Sequence, residues 1–292
     1  TPEAAHTEDY HVHRSAFEEE SNAHCRACHG NRPHKKEEKQ RLNNHAKKIA
    51  CQTCHIPKIA RGGVPTRMSW DWSTAGKLDE KGHPINERVD GNLVYSSKRG
   101  TFTYAEDINP EYIWFNGEVR YQLLNEPVNT NEDGYVEINS FGGSPDDGKS
   151  RIWPVKVFRG VQPYDPELGT MVVPHTAGLN EDAYWKSFDW KKSITAGMLS
   201  AGQPFSGKVD FIKTQMSWPI NHMVAPAEGA VGCDECHSKN GRLKDIEGIY
   251  IPSRDADPTL DKIGWLIALL TLVGVLAHGA GRVVSHYWSK RK

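Results

Sequence analysis

The sequence predicts a mainly α-helical fold with much irregular loop, few short strands and one C-terminal transmembrane helix. Three observations support this prediction. A C-x-x-C-H pattern, compact enough for one helical turn, occurs three times. The apolar runs in the middle of the chain are short, and Gly, Pro, Asn and Asp separate them. Residues 263–281 form a stretch of 19 residues without a formal charge.

The three motifs contain all six Cys of the chain. C-x-x-C-H is the attachment pattern of c-type haem, in which both thiols bond to the macrocycle and the His ligates the iron. A zinc or redox C-x-x-C pair is the alternative, but it leaves three correctly placed histidines unexplained. We therefore predict a multihaem cytochrome c organised around three covalently attached haem c groups. The attaching cysteines are Cys25, Cys28, Cys51, Cys54, Cys233 and Cys236, and the adjacent iron ligands are His29, His55 and His237.

The chain divides by composition into four predicted segments. These are a multihaem domain facing the periplasm (1–251), a polar linker (252–262), a transmembrane helix (263–288) and a basic cytoplasmic tail (289–292). Within the first segment we expect short helices up to residue 60 and a loop-rich wrap over 61–180. Short strands are predicted at 92–95, 136–138 and 152–158, and helices at 37–48, 181–200 and 208–215.

The sixth ligand of each iron decides whether a haem only transfers electrons or also binds substrate. Candidates for this position are His45, His175 and His222, followed by His24 and His11. For each, the alternative is a histidine that only forms structural hydrogen bonds. Met216 and Met223 are weaker candidates. His34 and His83 stand among charged or turn-forming residues and are expected to be solvated loop residues.

The N-terminal residues 6–24 hold four histidines, more than the predicted haems require. Some could ligate haems on another chain or on a preceding segment, and the alternative is that they are surface residues. The chain begins at Thr1 and not at Met, so we expect it to be processed or to be the later part of a longer chain.

The uncharged stretch 263–281 has the length of a membrane span, which needs about 20 apolar residues. Trp265 lies near one end and Tyr287 and Trp288 near the other, as interfacial aromatic residues do. Basic residues 290–292 follow, so the positive-inside rule predicts a single-pass protein of the bacterial inner membrane with its N-terminal body in the periplasm. The alternative is a buried hydrophobic helix.

Four polar residues share one face of this predicted helix: His278, Arg282, Ser285 and His286. Polar groups at membrane depth usually face a partner or a cavity. We therefore expect docking onto a membrane cytochrome b or quinone-reactive subunit within the lipid bilayer, and His278 is a candidate ligand of a haem b shared with that partner. The alternative is a simple anchor. The net charge of −1 gives no reason to expect a nucleic-acid partner.

Four segments have a distinctive sequence: ACQTCHIP at 50–57, TRMSWDWSTAG at 66–76, WPINHM at 218–223 and CDECHS at 233–238. They resemble the later part of the octahaem tetrathionate reductase family of c-type cytochromes. The resemblance covers about residues 10–250. It implies closely packed, bis-histidine haems in periplasmic proteins that reduce sulfur or nitrogen oxyanions. The catalytic haem of that family has a Lys ligand and lies in the earlier part of its chain, which has no match here.

Together these features predict a membrane-anchored cytochrome of a respiratory chain that passes electrons between the membrane partner and another multihaem redox protein. For such a chain we favour an electron-transfer subunit over a catalytic one, and whether it is an enzyme stays open. The alternative is part of a multihaem reductase of tetrathionate, nitrite or hydroxylamine, with the catalytic haem elsewhere. A third possibility is a structural subunit whose haems bridge neighbouring chains.

Overall fold

The computed structural model of the chain describes residues 25–290, apart from the side chain of Glu38. These residues form two compact units. The first contains the residues up to Gly232 together with Asp245–Gly248, and the second contains Cys233–Lys244 and the residues from Ile249 onward.

The first unit is built on a mixed β-sheet, so the prediction of a mainly α fold is wrong. Within the described residues the sheet has nine strands, and helix makes up about 29 % of the structure, close to the share of strand. The strands are β1 Thr66–Asp71, β2 Asn86–Val89, β3 Asn92–Ser96, β4 Gly100–Ala105, β5 Glu111–Phe115, β6 Val119–Tyr121, β7 Val136–Glu137, β8 Asn139–Phe141, β9 Arg151–Asp165, β10 Thr170–Met171 and β11 Asp210–Pro219.

Strand β9 is the centre of this sheet. The order along the main path is β2-β3-β4-β1-β9-β11-β7, and β5 and β10 pair with further parts of β9. β1 runs parallel to β9, and β11 runs antiparallel to it over ten residue pairs. β6 and β8 form a separate two-stranded ribbon. Because β9 has neighbours along both edges, most of its residues are buried or half-buried.

The sequence conceals the sheet because β9 contains residues that usually interrupt strands. The predicted strand at 152–158 includes Pro154 but ends before Gly160 and Pro163, whereas β9 continues through both. A Cβ atom at Gly160 would lie 2.9 Å from Thr214 Oγ1 and 3.3 Å from the backbone oxygen of Trp70. Glycine therefore lets β1 and β11 approach β9 closely at this position. The same pairing makes residues 210–215 of the helix predicted at 208–215 part of strand β11.

Eight α-helices occur in the part of the chain that the structure describes. They are α1 Cys25–His29, α2 Leu42–His45, α3 Cys51–His55, α4 Tyr184–Ser187, α5 Trp190–Ser200, α6 Cys233–Cys236, α7 Pro252–Asp255 and α8 Pro258–Ser289. Single 3₁₀ turns lie at Glu37–Lys39, Trp72–Thr74 and Ala227–Gly229. The helix predicted at 37–48 is therefore reduced to one 3₁₀ turn and α2.

The predicted helix at 181–200 is divided in two. Phe188 ends α4 with a left-handed backbone (φ 55°), which a helix cannot continue. Asp189 then caps α5, and its carboxylate accepts a 3.0 Å hydrogen bond from the Lys192 backbone nitrogen. The apolar periodicity of the segment continues across this break, so periodicity alone predicted one helix.

Buried apolar residues pack on both sides of α3. Ala50, directly before the helix, packs in a cluster with Phe115 and Trp153. Ile56, directly after it, packs with Ile220 in a second cluster. Both ends of the short helix are therefore held by the core of the first unit.

The second unit contains the long helix α8. Its 32 residues span about 48 Å at about 1.5 Å per residue. α8 is the one helix within residues 25–290 that is long and apolar enough to cross a membrane, and its side chains are exposed along its whole length. It begins at Pro258, before the predicted span, because the carboxylate of Asp257 caps it by accepting a hydrogen bond from Thr259 N at 2.7 Å.

Candidate haem-attachment site

Helix α3 places the second C-x-x-C-H motif on one helical face. Cys51, Cys54 and His55 stand at positions i, i+3 and i+4, which lie on the same side of an α-helix. All three are half-buried, whereas the two intervening residues, Gln52 and Thr53, are 6 % and 1 % exposed. The spacer residues thus pack into the protein, and the two thiols and the imidazole share the opposite face.

The buried side of α3 is attached to strand β9 through one carbonyl group. The backbone oxygen of Ile152 accepts a 3.0 Å hydrogen bond from Ala50 N and a 2.7 Å hydrogen bond from Thr53 Oγ1. Ile152 is fully buried. These two bonds fix the height and the rotation of the helix on the sheet.

The ring of His55 is oriented by Ala225. The Ala225 backbone nitrogen donates to the oxygen of His55 at 2.6 Å, and the ring nitrogen Nδ1 of His55 lies 3.2 Å from the Ala225 oxygen. A carbonyl oxygen only accepts, so Nδ1 carries the proton and donates. Nε2 then keeps its lone pair for a metal, an arrangement that metal-bound histidines usually adopt.

Helix α1 carries the first motif and ends at a glycine. Gly30 adopts a left-handed backbone (φ 70°), and its nitrogen donates to the oxygen of Arg26 at 2.8 Å. The Arg26 guanidinium donates to the oxygen of Ala46 at 3.0 Å. Cys28 and His29 are exposed, so a macrocycle can reach both.

The first two motifs meet at their first cysteines. The side chains of Cys25 and Cys51 lie close enough to change each other's pKa values. Interaction with Cys25 lowers the pKa of Cys51 to about 6, and interaction with Cys51 together with burial raises the pKa of Cys25.

Helix α6 carries the third motif, in the second unit. The His237 backbone nitrogen donates to the oxygen of Cys233 at 2.8 Å and so continues the helical turn. Arg242 binds Glu235 of the spacer through its guanidinium at 2.6 Å and through its backbone nitrogen at 2.7 Å. Burial raises the pKa of the Cys236 thiol. This spacer is therefore held by an ion pair, whereas that of α3 is held by burial.

The residues of the three motifs fit a covalently attached haem. In α3, two half-buried thiols and an imidazole with an available Nε2 share one face of a short helix, as a thioether-linked macrocycle with an axial histidine requires. A bound haem supplies one-electron redox chemistry, and the protein positions and shields it.

The histidines predicted as sixth ligands lie in different surroundings. His45 ends α2 and is half-buried, with its Nδ1 3.2 Å from the Arg41 oxygen. His175 bonds through Nε2 to Asn180 Oδ1 at 3.1 Å, so the nitrogen that would bind iron is already engaged. His222 is exposed in the loop after β11. His11 and His24 lie outside the described residues.

The structure also brings His34, for which the sequence predicts a solvated loop, close to α3. The rings of His34 and His55 are nearly parallel, with an angle of 13° between their planes and 6.5 Å between their centres. His34 is half-buried, and Asn43 forms three hydrogen bonds with it. The charged neighbours of His34 in the sequence concealed this position.

The motifs and their geometry define this chain as a c-type haem protein, with a mixed sheet supporting at least the second motif. It belongs to the bacterial cytochrome c family: the family model described as "Cytochrome c bacterial" matches residues 67–240. A search of curated proteins found no match.

Among solved structures, the chain is similar to the octaheme cytochrome c from Shewanella oneidensis. The TM-score is 0.65 and the sequence identity 34 %, and the match covers 82 % of this chain. It covers 52 % of the octaheme cytochrome, so the chain spans about half the length of that relative. The prediction of a multihaem c-type cytochrome with covalent haem is thereby confirmed. The resemblance to tetrathionate reductases and the number of haems stay predictions.

Proposed function

We propose that the chain is a membrane-anchored cytochrome with three haem c groups that transfers electrons between a quinone-reactive or cytochrome b partner and another multihaem redox protein. The observation that carries the anchoring is helix α8. It is apolar, about 48 Å long and exposed along its length, whereas the hydrocarbon core of a bilayer is about 30 Å thick.

The haem number rests on the three complete motifs. Each is helical at its cysteines, and each has its histidine directly after the second Cys. The motif of α6 stands 21 residues before the start of α8, counting from His237 to Pro258. The third haem is therefore the one tethered most closely to the membrane along the chain, and we assign the membrane partner to it.

The membrane partner would contact the polar face of α8. His278, Arg282 and His286 are exposed on this helix, at spacings that share one face. Such groups in a span favour a protein partner over lipid. His278 is the residue we propose as a ligand of a haem b shared with that partner.

Membrane attachment is tested by fractionation of cells that express the full chain with its haems. The full chain is expected in the membrane fraction, resistant to washing with high salt and alkaline carbonate. A variant that ends at Asp255 is expected in the soluble periplasmic fraction with its haems intact. Release of the full chain by carbonate would contradict the anchoring.

Electron transfer from a water-soluble quinol is tested in membranes that contain the full chain, and in membranes without it to which the soluble variant ending at Asp255 is added. The c-type absorption bands of the full chain should be reduced within seconds, and the variant ending at Asp255 should be reduced more slowly at equal haem concentration. Haem content, measured as the pyridine adduct, should be three per chain. Equal reduction rates for the two proteins would argue against the membrane partner.

A second candidate function is a subunit of a reductase of sulfur or nitrogen oxyanions. It is supported by the similarity to a longer octaheme cytochrome, of which this chain spans about half. In that case the catalytic haem lies on protein beyond this chain. Reduced full-length chain that is oxidised by tetrathionate, nitrite or hydroxylamine without any added protein would instead place catalysis here.

A further inference from the structure

We propose that His34 is the second axial ligand of the haem attached to α3, bound to the iron on the side opposite His55. This inference rests on the proposed haem attachment and deepens it, since it specifies the coordination of one iron. The distance between the two rings and their hydrogen bonds support it.

The separation of the rings matches two imidazoles that share one metal ion. An imidazole nitrogen binds a transition metal at about 2.0–2.1 Å, and the ring centre lies about 1.1 Å further back, so opposed rings have centres about 6.2–6.4 Å apart. The centres of His34 and His55 are 6.5 Å apart. Parallel rings in direct face contact would lie about 3.5–4.0 Å apart, at the optimal separation of carbon atoms.

The hydrogen bonds of His34 leave the correct nitrogen available. Its Nδ1 lies 3.2 Å from Asn43 Oδ1, and its backbone nitrogen donates to the same oxygen at 3.2 Å. The Asn43 amide donates to the His34 oxygen at 2.9 Å. This amide orientation makes Oδ1 the acceptor, so Nδ1 of His34 is protonated and Nε2 keeps its lone pair.

The two histidines are therefore held in equivalent ways. Nδ1 of His55 donates to a backbone carbonyl of Ala225, and Nδ1 of His34 donates to the side-chain carbonyl of Asn43. Metal-bound histidines almost always donate their second ring N–H to such an acceptor. Asn43 lies on α2, so this short helix acts as the support of the second ligand.

Ligation by two histidines closes the iron to substrate. The haem of α3 is then six-coordinate and low-spin, and it serves electron transfer alone. His45, on the same short helix as Asn43, is then available to another iron or to a structural role.

The test uses the full-length, haem-loaded chain and its His34→Ala and His34→Met variants. Replacement by Ala should convert one haem per chain to a high-spin, five-coordinate form, visible by low-temperature EPR, and that haem should bind carbon monoxide when reduced. Replacement by Met should keep it low-spin and raise one reduction potential. Asn43→Ala, which removes only the support, should alter the EPR g-values of one haem without loss of haem.

The matched control is His83→Ala, since His83 is an exposed histidine that contacts Asp79 at 3.5 Å and lies outside the motifs. It should leave all haem spectra unchanged. If His34→Ala and His34→Met both give the spectra of His83→Ala, His34 is not a ligand and the two rings are only neighbours. If His45→Met raises a potential and His34→Met does not, His45 takes this role.

These outcomes are independent of the membrane test. Release of the wild-type chain by carbonate would overturn the anchoring. It would not affect the ligand assignment, which the spectra of the His34 variants test. Unchanged spectra would overturn the ligand assignment even if the quinol reduces the wild-type chain as expected. If His34→Ala does not accumulate, the potential of the His34→Met variant decides.

Discussion

The side chains of Cys25 and Cys51 lie close enough to change each other's pKa values, although the two cysteines belong to different motifs. In the proposed haem-loaded chain, these residues would each form the first thioether of a macrocycle. The two macrocycles would then be neighbours between which an electron could pass.

This contact predicts redox interaction between the first two haems. Charge on one iron changes the electrostatic potential at the next, and the change is large at short separation in a low dielectric. His29→Met should therefore raise the potential of the first haem strongly and shift that of the second by a smaller amount. Spectroelectrochemical titration measures both. His83→Ala serves as the control, and a second haem that does not respond would contradict the proximity.

Thr53 is expected to stabilise the attachment of α3 to the sheet. Thr53→Val keeps the shape of the side chain and removes the 2.7 Å hydrogen bond to the buried oxygen of Ile152. Loss of a buried hydrogen bond should lower the free energy of unfolding by about 1–2 kcal/mol. Thermal unfolding followed by circular dichroism measures the change.

The control for this experiment is Thr195→Val. Thr195 also donates to a carbonyl, that of Lys191 at 2.8 Å, but it is exposed on α5, where water can replace the bond. Its effect should be within about 0.5 kcal/mol, as for most surface substitutions. Equal losses of unfolding free energy in the two variants would show that the buried hydrogen bond of Thr53 stabilises the protein no more than an exposed one.

Asp165 should stabilise the end of β9 in a pH-dependent way. Its carboxylate is fully buried and accepts hydrogen bonds from Ser206 N at 2.7 Å, Ser206 Oγ at 2.8 Å and the nitrogens of Glu167 and Leu168 at 3.0 Å. Burial raises its pKa, but these donors outweigh burial and hold the pKa below its ordinary value. Asp165→Ala should cost about 2–4 kcal/mol.

The sign of the pH dependence follows from that lowered pKa. The stabilisation by Asp165 is complete above the unfolded-state pKa of about 3.9 and is lost as the pH falls through the lower pKa of the folded state. The difference in unfolding free energy between wild type and Asp165→Asn should therefore be constant from pH 7 to 5 and shrink below about pH 4. A difference that grows on acidification would contradict this assignment. Asp210→Asn, at an exposed aspartate on β11, is the control.

Gly197 is expected to tolerate no side chain, although it lies inside a helix. An added Cβ atom would overlap the backbone oxygen of Val173 and lie 2.9 Å from the nitrogen of His175. Gly→Ala in a helix normally gains about 0.5–1 kcal/mol. Here Gly197→Ala should instead lower the melting temperature, because α5 would be forced away from the segment at 173–175. Leu199→Ala, at a side chain that is 81 % exposed on the same helix, should have little effect. A higher melting temperature for Gly197→Ala would show that the helix can move.

The predictions from sequence agreed with the structure where the interacting residues are close together in the chain, and failed where they are distant. The C-x-x-C-H motifs were recognisable because attachment chemistry requires those residues within five positions, and α8 because a membrane span must be continuous and apolar. The sheet was missed because β9 contains Gly160 and two prolines, which are tolerated only because of distant partner strands. Gly160, for example, pairs with Thr214 and Trp70, which are 54 and 90 residues away in the sequence. The segment 208–215 was predicted as helix because its pairing with β9 is likewise not visible in the sequence.

The sequence by itself determined the haem-binding class of this protein and the helix that can cross a membrane, and it predicted His29, His55 and His237 as the adjacent ligands. Each depends on residues close together in the chain. The tertiary structure alone decided that a sheet centred on β9 holds the second motif, that Cys25 lies near Cys51, and that the ring centres of His34 and His55 are 6.5 Å apart. These contacts join segments that are distant in the sequence. They cannot be predicted from the sequence spacing, because they depend on how the intervening chain folds.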